Sequence, residues 1–512
     1  MPGLLIGLLV SQGLWAKTYG GTSDDYACSI TQTTDGGFAV AGYSYSFGAG
    51  EWDFQVLKLN GGGGLIWAKT FGGTNNEVAY SIIQTTDGGF AVTGYTKSFG
   101  AGGADFLVLK LSSSGGLDWA RAFGGTGTEE AHSIVQSADG GFAVAGKTNS
   151  FGAGDYDLLV LKISSAGAPE WARTFGGANA DEAYSIAQTA EGGFAVTGYT
   201  RSFGAGGADF LVLKLSSSGG LDWARTFGGT DADRAHSIIR TTDGGFGVAG
   251  YSYSFGAGWE HFLVLRLDDS GNISWARTFG TMNWEEAYSM IQTNDGGFAI
   301  GGYTFYDYDD FLILRLDDSG NLMWARAFGG NYDEDAYSLA QAADGGFALA
   351  GETWTFDPLY CDFLILKVGP DGNYPGCVQN YSLTVNTVSP SVSAPSVGAD
   401  CSPIVSSPTI SVGTQSPTIK DVCVPSEVEE GICDSRSGIA WFSVPGGALF
   451  VSSGDMSIRI YAADGRLAYS GKLEKGQNRI TLEAGVYLWM AADCGGTGAP
   501  AYPASFGKAV VR

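Results

Sequence analysis

Short apolar runs alternate with glycine-rich polar stretches along most of the chain, and the alternation repeats with a long period. One period, from residue 77 to 123, contains the runs "EVAYSIIQ", "GGFAVTGYT", "DFLVLKL" and "LDWARAF". Each run is rich in β-branched and aromatic residues and is bounded by Gly, Ser, Asn or Asp, which is typical of β-strands separated by turns. The pattern therefore predicts four strands in every period.

A tryptophan followed by Ala and a basic residue marks each period. Successive tryptophans are 52 residues apart, except for the last two, which are 49 apart. The seven markers are Trp15, Trp67, Trp119, Trp171, Trp223, Trp275 and Trp324. Seven units of four antiparallel strands predict an all-β protein with a seven-bladed β-propeller.

The phase of the repeat predicts how the ring closes. Blade seven has three predicted strands, at 337–341, 346–353 and 362–368, and no tryptophan strand follows them. The first tryptophan strand, Trp15–Tyr19, has no blade before it. Since ring closure needs a strand from one terminus to complete the blade begun at the other, we predict that this N-terminal strand completes blade seven as its outer strand.

Glycine-rich phrases mark the predicted turns. "DGG", first found at Asp35, recurs between the first and second strands of all the blades except one, where it is "EGG". Glycine adopts left-handed backbone at no steric cost, so the phrase predicts a tight turn. "DDSGN" at 268–272 predicts a hairpin between the third and fourth strands of blade five.

Composition divides the chain into four segments. Residues 1–13 have the apolar core of a signal peptide but lack its usual basic start, and a buried strand is the alternative. Residues 14–369 form the predicted propeller. Residues 370–430 are rich in Pro, Ser and Thr and predict an extended, polyproline-like linker. Residues 431–512 contain six or seven short alternating runs, which predict a small C-terminal β-sandwich.

Charge and cysteine content narrow the classes of partner and compartment. The net charge of −25 repels a phosphate backbone, so we expect no nucleic-acid partner. No later stretch approaches the ~18 apolar residues of a transmembrane helix. Five of the seven cysteines lie after residue 370, as local disulfides of an exported protein would require, although their pairing stays open. We therefore expect a secreted or cell-surface protein.

Two resemblances extend this interpretation. Phrases such as "DGGFAVAG" and "DFLVLRLDDSGN" resemble the delta-60 type of repeat in secreted bacterial propellers. "IRIYAADGRLAYSGKL", "AGVYLW" and the terminal "KAVVR" look like the C-terminal sorting domain of proteins exported by the bacterial type IX secretion system, although "FSVPGG" stands where that family has "YPNP". The second resemblance implies that the secretion machinery is a partner of the C-terminal domain. Neither resemblance implies a ligand.

A carboxylate stands just before the predicted first strand in every blade. The positions are Asp25, Glu77, Glu129, Asp181, Asp233, Glu285 and Glu334. A ring of carboxylates at a channel mouth would attract cations or basic ligands. However, a contact that forms the fold recurs in every repeat, whereas a site for one ligand breaks the symmetry. The sequence therefore favours a structural role, in which each carboxylate accepts N–H bonds of its own turn.

Variation between blades points instead to the loop between the second and third strands. This loop begins as "SFGAG" in five blades and departs from it in the last two. Its aromatic residues are Trp52, Tyr156, Trp259, Tyr306, Tyr308, Trp354 and Tyr360. Exposed aromatic rings stack on sugars or anchor proteins, so these residues are the candidate ligand-binding positions. The alternative is that they cover the end of a sheet.

Catalytic and metal-binding motifs are not found. His132 and His236 occupy a position that is Tyr in four other blades, which favours packing over metal binding. The chain has no G-x-S-x-G, no Walker loop and no EF-hand run. We therefore predict no catalytic residue, no metal and no cofactor.

The sequence supports three hypotheses of function. The first is an exported, non-enzymatic propeller that binds a glycan or a protein at the bacterial surface. The second is a carbohydrate-active hydrolase or lyase that uses carboxylates at the channel mouth, since glycosidases need only two positioned carboxylates. The third is a purely structural surface protein, favoured by the near identity of blades two and four. Oligomeric state and cleavage of the C-terminal domain stay open.

Overall fold

The computed structural model describes residues 13–374, with gaps at 257–258, 306–307 and 357–359. Beyond 374 it describes Leu383, Val388 and the backbone of short strands. The predicted signal peptide lies almost entirely outside these residues. The described part of the chain contains no helix. It therefore contains no helix that is long and apolar enough to cross a membrane. The chain divides into two compact units, Met1–Cys423 and Val424–Arg512.

The described part of the first unit forms seven antiparallel sheets, each built on the four strands of one blade, which confirms the predicted seven-bladed propeller. Within each blade the strands pair in order from first to fourth. Their bounds are, in blade one, β2 (Asp25–Gln32), β3 (Phe38–Ser44), β4 (Asp53–Leu59) and β5 (Leu65–Gly72); in blade two, β6 (Glu77–Gln84), β7 (Phe90–Thr96), β8 (Asp105–Leu111) and β9 (Leu117–Gly124); in blade three, β10 (Glu129–Gln136), β11 (Phe142–Thr148), β12 (Asp157–Ile163) and β13 (Pro169–Phe175); in blade four, β14 (Asp181–Gln188), β15 (Phe194–Thr200), β16 (Asp209–Leu215) and β17 (Leu221–Gly228). They are, in blade five, β18 (Asp233–Arg240), β19 (Phe246–Ser252), β20 (His261–Leu267) and β21 (Ile273–Gly280); in blade six, β22 (Trp284–Gln292), β23 (Phe298–Phe305), β24 (Asp309–Leu316) and β25 (Leu322–Phe328); and in blade seven, β26 (Glu334–Gln341), β27 (Phe347–Thr353), β28 (Asp362–Val368) and β1 (Trp15–Gly20).

The ring closes through β1, as the phase of the repeat predicts. β1 pairs antiparallel with β28, from Trp15 opposite Lys367 to Tyr19 opposite Phe363. The N-terminal strand is thus the fourth strand of blade seven, in the position that β5 has in blade one. This pairing joins the two ends of the propeller sequence without a covalent hairpin.

The Asp-Gly-Gly turn has a second function besides the chain reversal. Gly36 has a φ of 79°, in the left-handed region, and its N–H donates to the carbonyl of Thr33. The carboxylate of Asp35 lies 2.9 Å from the buried ammonium of Lys58 in the third strand. Since an unpaired buried charge is costly, the turn both reverses the chain and neutralises the lysine.

The marker tryptophans join neighbouring blades. In each case the indole meets a phenylalanine of the next blade edge to face, with ring centroids between 5.8 and 6.1 Å apart. Trp15 is buried, and the other six are half-buried. The indole N–H of Trp15 donates to the carbonyl of Gly61, in the next blade. Each such ring pair adds about 0.5–1.5 kcal/mol beyond its buried area.

Seven short strands lie within the segment predicted as a linker. They are β29 (Val378–Asn380), β30 (Thr384–Thr387), β31 (Ser391–Ser393), β32 (Ala399–Asp400), β33 (Ile404–Ser406), β34 (Ser411–Thr414) and β35 (Thr418–Asp421). Each pairs antiparallel with the fourth strand of a different blade. The polyproline-like spacer that composition suggests is thus replaced by sheet pairing at these residues, because the fourth strands offer free backbone groups along their outer edges.

The described residues of the second unit form seven strands in two antiparallel sheets, and the sequence predicts six or seven. Their bounds are β36 (Ile439–Val444), β37 (Gly447–Ser452), β38 (Met456–Ala462), β39 (Leu467–Leu473), β40 (Gly476–Thr481), β41 (Gly485–Asp493) and β42 (Ser505–Val511). The strand orders are β36-β37-β40 and β39-β38-β41-β42. Every element described in this unit is a β-strand.

Replacing Tyr19 by Ala should weaken the closure of the ring. The Tyr19 side chain is fully buried in the core between blades seven and one, and its hydroxyl donates to the carbonyl of Gly63 at 2.5 Å. We expect Tyr19→Ala to lower the free energy of unfolding by about 3–5 kcal/mol, measured by denaturant titration. Tyr45→Ala, at an exposed position of blade one, should change it by less than about 0.5 kcal/mol. Equal losses in the two variants would contradict this account of the closure.

Candidate functional site

One face of the ring carries the blade-to-blade variation, and we call it the loop face. In blade one, Asp25 pairs with Ser44, and Ser44 pairs in turn with Asp53. The start of the first strand, the end of the second and the start of the third therefore lie together. The loop between the second and third strands and the link from the preceding blade both lie on this face.

The seven carboxylates at the first strands lie on the loop face and are fully buried. Each accepts the backbone N–H of the residue four positions earlier, which is glycine in six blades and Thr281 in blade six. In blade four, for example, Asp181 accepts from Gly177 at 2.7 Å and from the hydroxyl of Ser202 at 2.7 Å. These contacts tie the link between blades to the adjacent loop, which is the kind of contact that a structural role requires.

A second carboxylate begins the third strand in most blades and lies beside the first-strand carboxylate of the next blade. Asp53 and Glu77 converge on Gly72, where an added Cβ would lie 1.7 Å from Asp53 Oδ1 and 2.7 Å from Glu77 Oε2. Burial, with a smaller contribution from Glu77, raises the pKa of Asp53 to about 6. The glycine is thus required by the approach of two carboxylates from neighbouring blades.

The structure separates the predicted aromatic positions into two groups. Trp52 is half-buried in a cluster with Tyr26, Tyr43 and Tyr45, at centroid distances of 4.9–5.4 Å. Tyr156 is half-buried beneath the ammonium of Lys147, 4.9 Å from the ring centroid. Tyr306 lies outside the described residues. The remaining four are exposed: Trp259, Tyr308, Trp354 and Tyr360.

The exposed candidates belong to a larger set that the sequence analysis did not identify. At two interfaces an aromatic residue of one blade's loop meets one from the link to the next blade: Trp259 contacts Trp284 at 5.7 Å, and Tyr308 contacts Tyr332 at 5.7 Å between centroids. Trp284 also stacks on Phe305. We define the aromatic arc as Tyr45, Trp259, Trp284, Tyr308, Tyr332, Trp354 and Tyr360, all exposed on the loop face.

The aromatic arc is confined to blades five, six, seven and one. The residue that follows the Ser or Thr paired with the first-strand carboxylate is aromatic in these four blades, at Tyr253, Phe305, Trp354 and Tyr45. In blades two, three and four the same position holds Lys97, Asn149 and Arg201. Aligning this position blade by blade would have found the asymmetry in the sequence. The fold does not require an aromatic residue here, because three blades have none.

The first strands line a central channel through one residue each. A β-bulge in each first strand, such as the one between Ala131 and Ser133 in β10, leaves one residue unpaired and turned toward the channel axis. These residues, which we call the channel ring, are Cys28, Tyr80, His132, Tyr184, His236, Tyr288 and Tyr337. Together with Tyr43 they line a cavity of about 360 Å³.

The two histidines of the channel ring pack between tyrosines. His132 lies between Tyr80 and Tyr184, with centroids 4.9 and 5.0 Å away, and His236 lies between Tyr184 and Tyr288 at 4.8 and 4.7 Å. Burial lowers the pKa of both histidines to about 3, so both are neutral near pH 7. Within the described residues no group of three or more His, Cys, Asp or Glu side chains is arranged to hold a metal ion.

Charge is compensated unevenly around the mouth of the channel. In blades three and four, Lys147 Nζ lies 3.2 Å from Glu130 and 3.5 Å from Glu182. In blade seven the equivalent of Lys147 is Glu352, which pairs directly with Asp335 across the two strands. Burial and this neighbour raise the pKa of Glu352 to about 9, and burial raises that of Asp335 to about 6. Blade seven therefore carries two carboxyl groups, a buried Glu352 and a half-buried Asp335, where blade three has an ion pair.

The mouth also contains hydrogen bonds between the channel ring and these carboxylates. The hydroxyls of Tyr184, Tyr288 and Tyr337 donate to the carboxylates two residues earlier, at 3.1, 2.7 and 3.3 Å respectively. The acceptors are Glu182, Glu286 and Asp335. The tyrosines are thus held with their hydroxyls toward the mouth and their rings along the cavity wall.

Comparisons with known proteins do not assign the chain to a family, and no protein-family model matches it. The regulatory protein FlaEY of Caulobacter vibrioides is 29% identical over 27% of this chain, and the match spans 17% of that protein's length. The extracellular domain of a putative hybrid two-component system from B. thetaiotaomicron has a TM-score of 0.41 at 12% identity, covering 95% of this chain and 57% of that one. PorZ, a bacterial surface component of the type-IX secretion system of Porphyromonas gingivalis, has a TM-score of 0.27 at 10% identity, covering 97% and 85%. At these scores the structural likenesses carry no argument about function.

Replacing Glu352 by Gln should stabilise the protein at alkaline pH. Because the folded-state pKa of Glu352 is raised, the folded protein retains a proton that the unfolded chain loses above about pH 4.5, so stability falls as the pH rises toward about 9. Glu352→Gln removes this loss and should raise the free energy of unfolding at pH 8 by at least about 1 kcal/mol, with little change at pH 4. The measurement is denaturant unfolding across that range.

The control variant is Glu130→Gln, at a mouth carboxylate that has a lysine partner. Losing this ion pair should leave stability at pH 8 unchanged or lower. If Glu130→Gln gained as much stability at pH 8 as Glu352→Gln, the loss of stability at alkaline pH could not be assigned to the carboxyl pair of blade seven.

Proposed function

We propose that this chain is an exported, non-enzymatic propeller that binds a glycan or a protein at the bacterial cell surface through the aromatic arc. The observation that carries the proposal is the confinement of exposed aromatic residues to four consecutive blades of the loop face. Contacts needed by the fold recur in all seven blades, whereas these residues do not. A ligand that covers one side of the ring accounts for this asymmetry.

The chemistry of the aromatic arc suits a macromolecular ligand. Exposed Trp and Tyr rings offer flat apolar faces for sugar rings and large contact areas for protein anchors, with few rotatable bonds to order. The contacts of Trp259 with Trp284 and of Tyr308 with Tyr332 further restrict these side chains before a ligand arrives. A partly preorganised surface loses less conformational entropy when it binds.

The surface location rests on sequence features at the two ends of the chain. An apolar N-terminal run is typical of a signal peptide, and the final residues resemble a type IX sorting domain. In this proposal the secretion machinery recognises Val424–Arg512, and the repeats are of the delta-60 type. Export would also place the chain where a net charge of −25 limits association with other acidic surfaces.

A carbohydrate-active hydrolase or lyase is the second candidate, favoured by the raised pKa values at the channel mouth. Most glycosidases use two catalytic carboxyl groups whose pKa values differ. However, Glu352 is 8% exposed and lies against Asp335, so a substrate has little access to it. Turnover of a polysaccharide that is lost in both Asp335→Asn and Glu352→Gln would favour this candidate over binding alone. A structural surface protein without a ligand is the third.

Substitution of the aromatic arc should abolish binding while the fold is retained. A ligand is first sought by screening the full chain on glycan and protein arrays. We then expect Trp259→Ala combined with Trp284→Ala to weaken binding about tenfold or more, measured by calorimetry. The matched control combines Asn149→Ala with Arg201→Ala, at the polar positions of blades three and four, and it should change binding less than about twofold. Thermal unfolding should stay close to that of the unmodified chain in both variants.

Two outcomes would count against this function. Equal weakening by the two double variants would show that the ligand does not distinguish the aromatic arc from the rest of the loop face. Arrays without any bound ligand would favour the structural alternative.

A further inference from the structure

The seven short strands after the propeller follow an ordered path around its circumference. β29 pairs with the fourth strand of blade six, β30 with that of blade five, and the series continues through blades four, three, two and one to β35 on blade seven. These strands thus pair once with every blade, in the reverse of the order in which the fourth strands occur along the chain. We call the strands β29–β35, together with Leu383 and Val388, the belt.

The sequence of the belt has a seven-residue period that matches this path. Val378, Val385, Val392, Val405, Val412 and Ile419 each stand opposite the aromatic residue that follows the Trp-Ala motif in a fourth strand. Their partners are Phe328, Phe279, Phe227, Phe123, Phe71 and Tyr19. Successive members are seven residues apart, with one exception. Val392 and Val405 are thirteen residues apart, because the strand on blade three lies between them. The belt therefore repeats once per blade, like the propeller itself.

Prolines separate the belt strands without interrupting them. Pro390, Pro395, Pro403, Pro408 and Pro417 all fall between strands and none within one. Because proline has no N–H to donate, its position marks where pairing with one blade ends and the chain moves to the next. The prolines that led to the prediction of a polyproline-like linker thus fall between successive belt strands.

Two side chains of the belt pack against the propeller core. Leu383 is half-buried against the cluster that contains Trp275, and Val388 is half-buried against the cluster that contains Trp223. The Val388 N–H also donates to the carbonyl of Ala276 at 3.3 Å. The belt therefore contacts the blades through side chains as well as through strand pairing.

The last belt strand lies on the strand that closes the ring. β35 pairs with β1 from Lys17 opposite Asp421 to Gly20 opposite Thr418. β1 is thus held between β28 on one side and β35 on the other. In the other six blades the fourth strand is attached through its own hairpin, so blade seven gains most from a second pairing partner.

We infer that the belt is a latch, which pairs completely only with a closed ring and then holds β1 in place. All seven fourth strands, β1 included, must be in position before seven belt strands have edges to pair with. The belt also covers edges that would otherwise be open to strand addition by other chains. The propeller domain accordingly extends to Asp421, and the second unit begins directly after the latch.

Hydrogen exchange on the full chain tests the latch. We expect amides of the belt strands to exchange about tenfold or more slowly than those of an unstructured peptide of the same sequence. Ile419→Pro should remove pairing at β35 and raise the exchange rate of β1 about tenfold. Val385→Pro, on blade five, should raise exchange in β21 and leave β1 unchanged. Ser396→Pro, between β31 and β32, serves as the control and should change neither.

Cross-linking provides a test that does not depend on a destabilised variant. Thr18 and Lys420 are opposite each other in the register of β1 and β35, so Thr18→Cys combined with Lys420→Cys should form a disulfide within one chain, detected by mass spectrometry. The control pair, Thr18→Cys with Ile404→Cys, joins β1 to the belt strand of blade two and should not cross-link. Three results would overturn the latch. The belt amides could exchange at the rates of an unstructured peptide, or Ile419→Pro could leave the exchange of β1 unchanged. The cysteines introduced at positions 18 and 420 could also form their disulfide between two chains.

Discussion

The architecture depends on the pairing of β1 with β28, because this contact completes blade seven and joins the two ends of the propeller sequence in one sheet. Every other fourth strand reaches its partner through a short hairpin, whereas β1 comes from the opposite end of the propeller sequence. Closing a long loop costs only slightly more entropy than closing a short one, so the distant origin of β1 is affordable once its side chains are buried. Tyr19 and Trp15 supply that burial between blades seven and one. The belt adds a second partner to the same strand.

The contacts that recur in the blades maintain the fold, whereas other positions differ from blade to blade. The carboxylate at each first strand, the Asp-Gly-Gly turn and the tryptophan that meets the next blade recur around the ring and keep neighbouring blades in register. Since these contacts suffice for the fold, the positions between them are free to change. Exposed aromatic residues on one side of the loop face and neutral histidines in the channel ring are such changes.

The same side of the ring combines exposed aromatic rings with poorly compensated carboxyl groups. Lys147 neutralises the mouth in blades three and four, while blade seven places Glu352 against Asp335. Two carboxylates directly opposite each other would destabilise a sheet, so Glu352 retains its proton near neutral pH and this arrangement lowers stability as the pH rises. Local departures from the rules of stability are expected near functional sites. Their position next to the aromatic arc agrees with a functional side of the ring.

The sequence alone determined the blades, their number, the strand that closes the ring and the face that carries the variable loops, because each follows from a period that is visible without any long-range contact. It placed Trp52 among the exposed candidates and did not identify Trp284 or Tyr332. Exposure is decided by neighbours from other blades: Trp52 is covered by three tyrosines, and Trp284 is brought to Trp259 only by the ring. The belt shows the same limit. Its strands of two to four residues carry too weak a local signal to be recognised, and only the edges that the finished propeller offers turn them into a sheet.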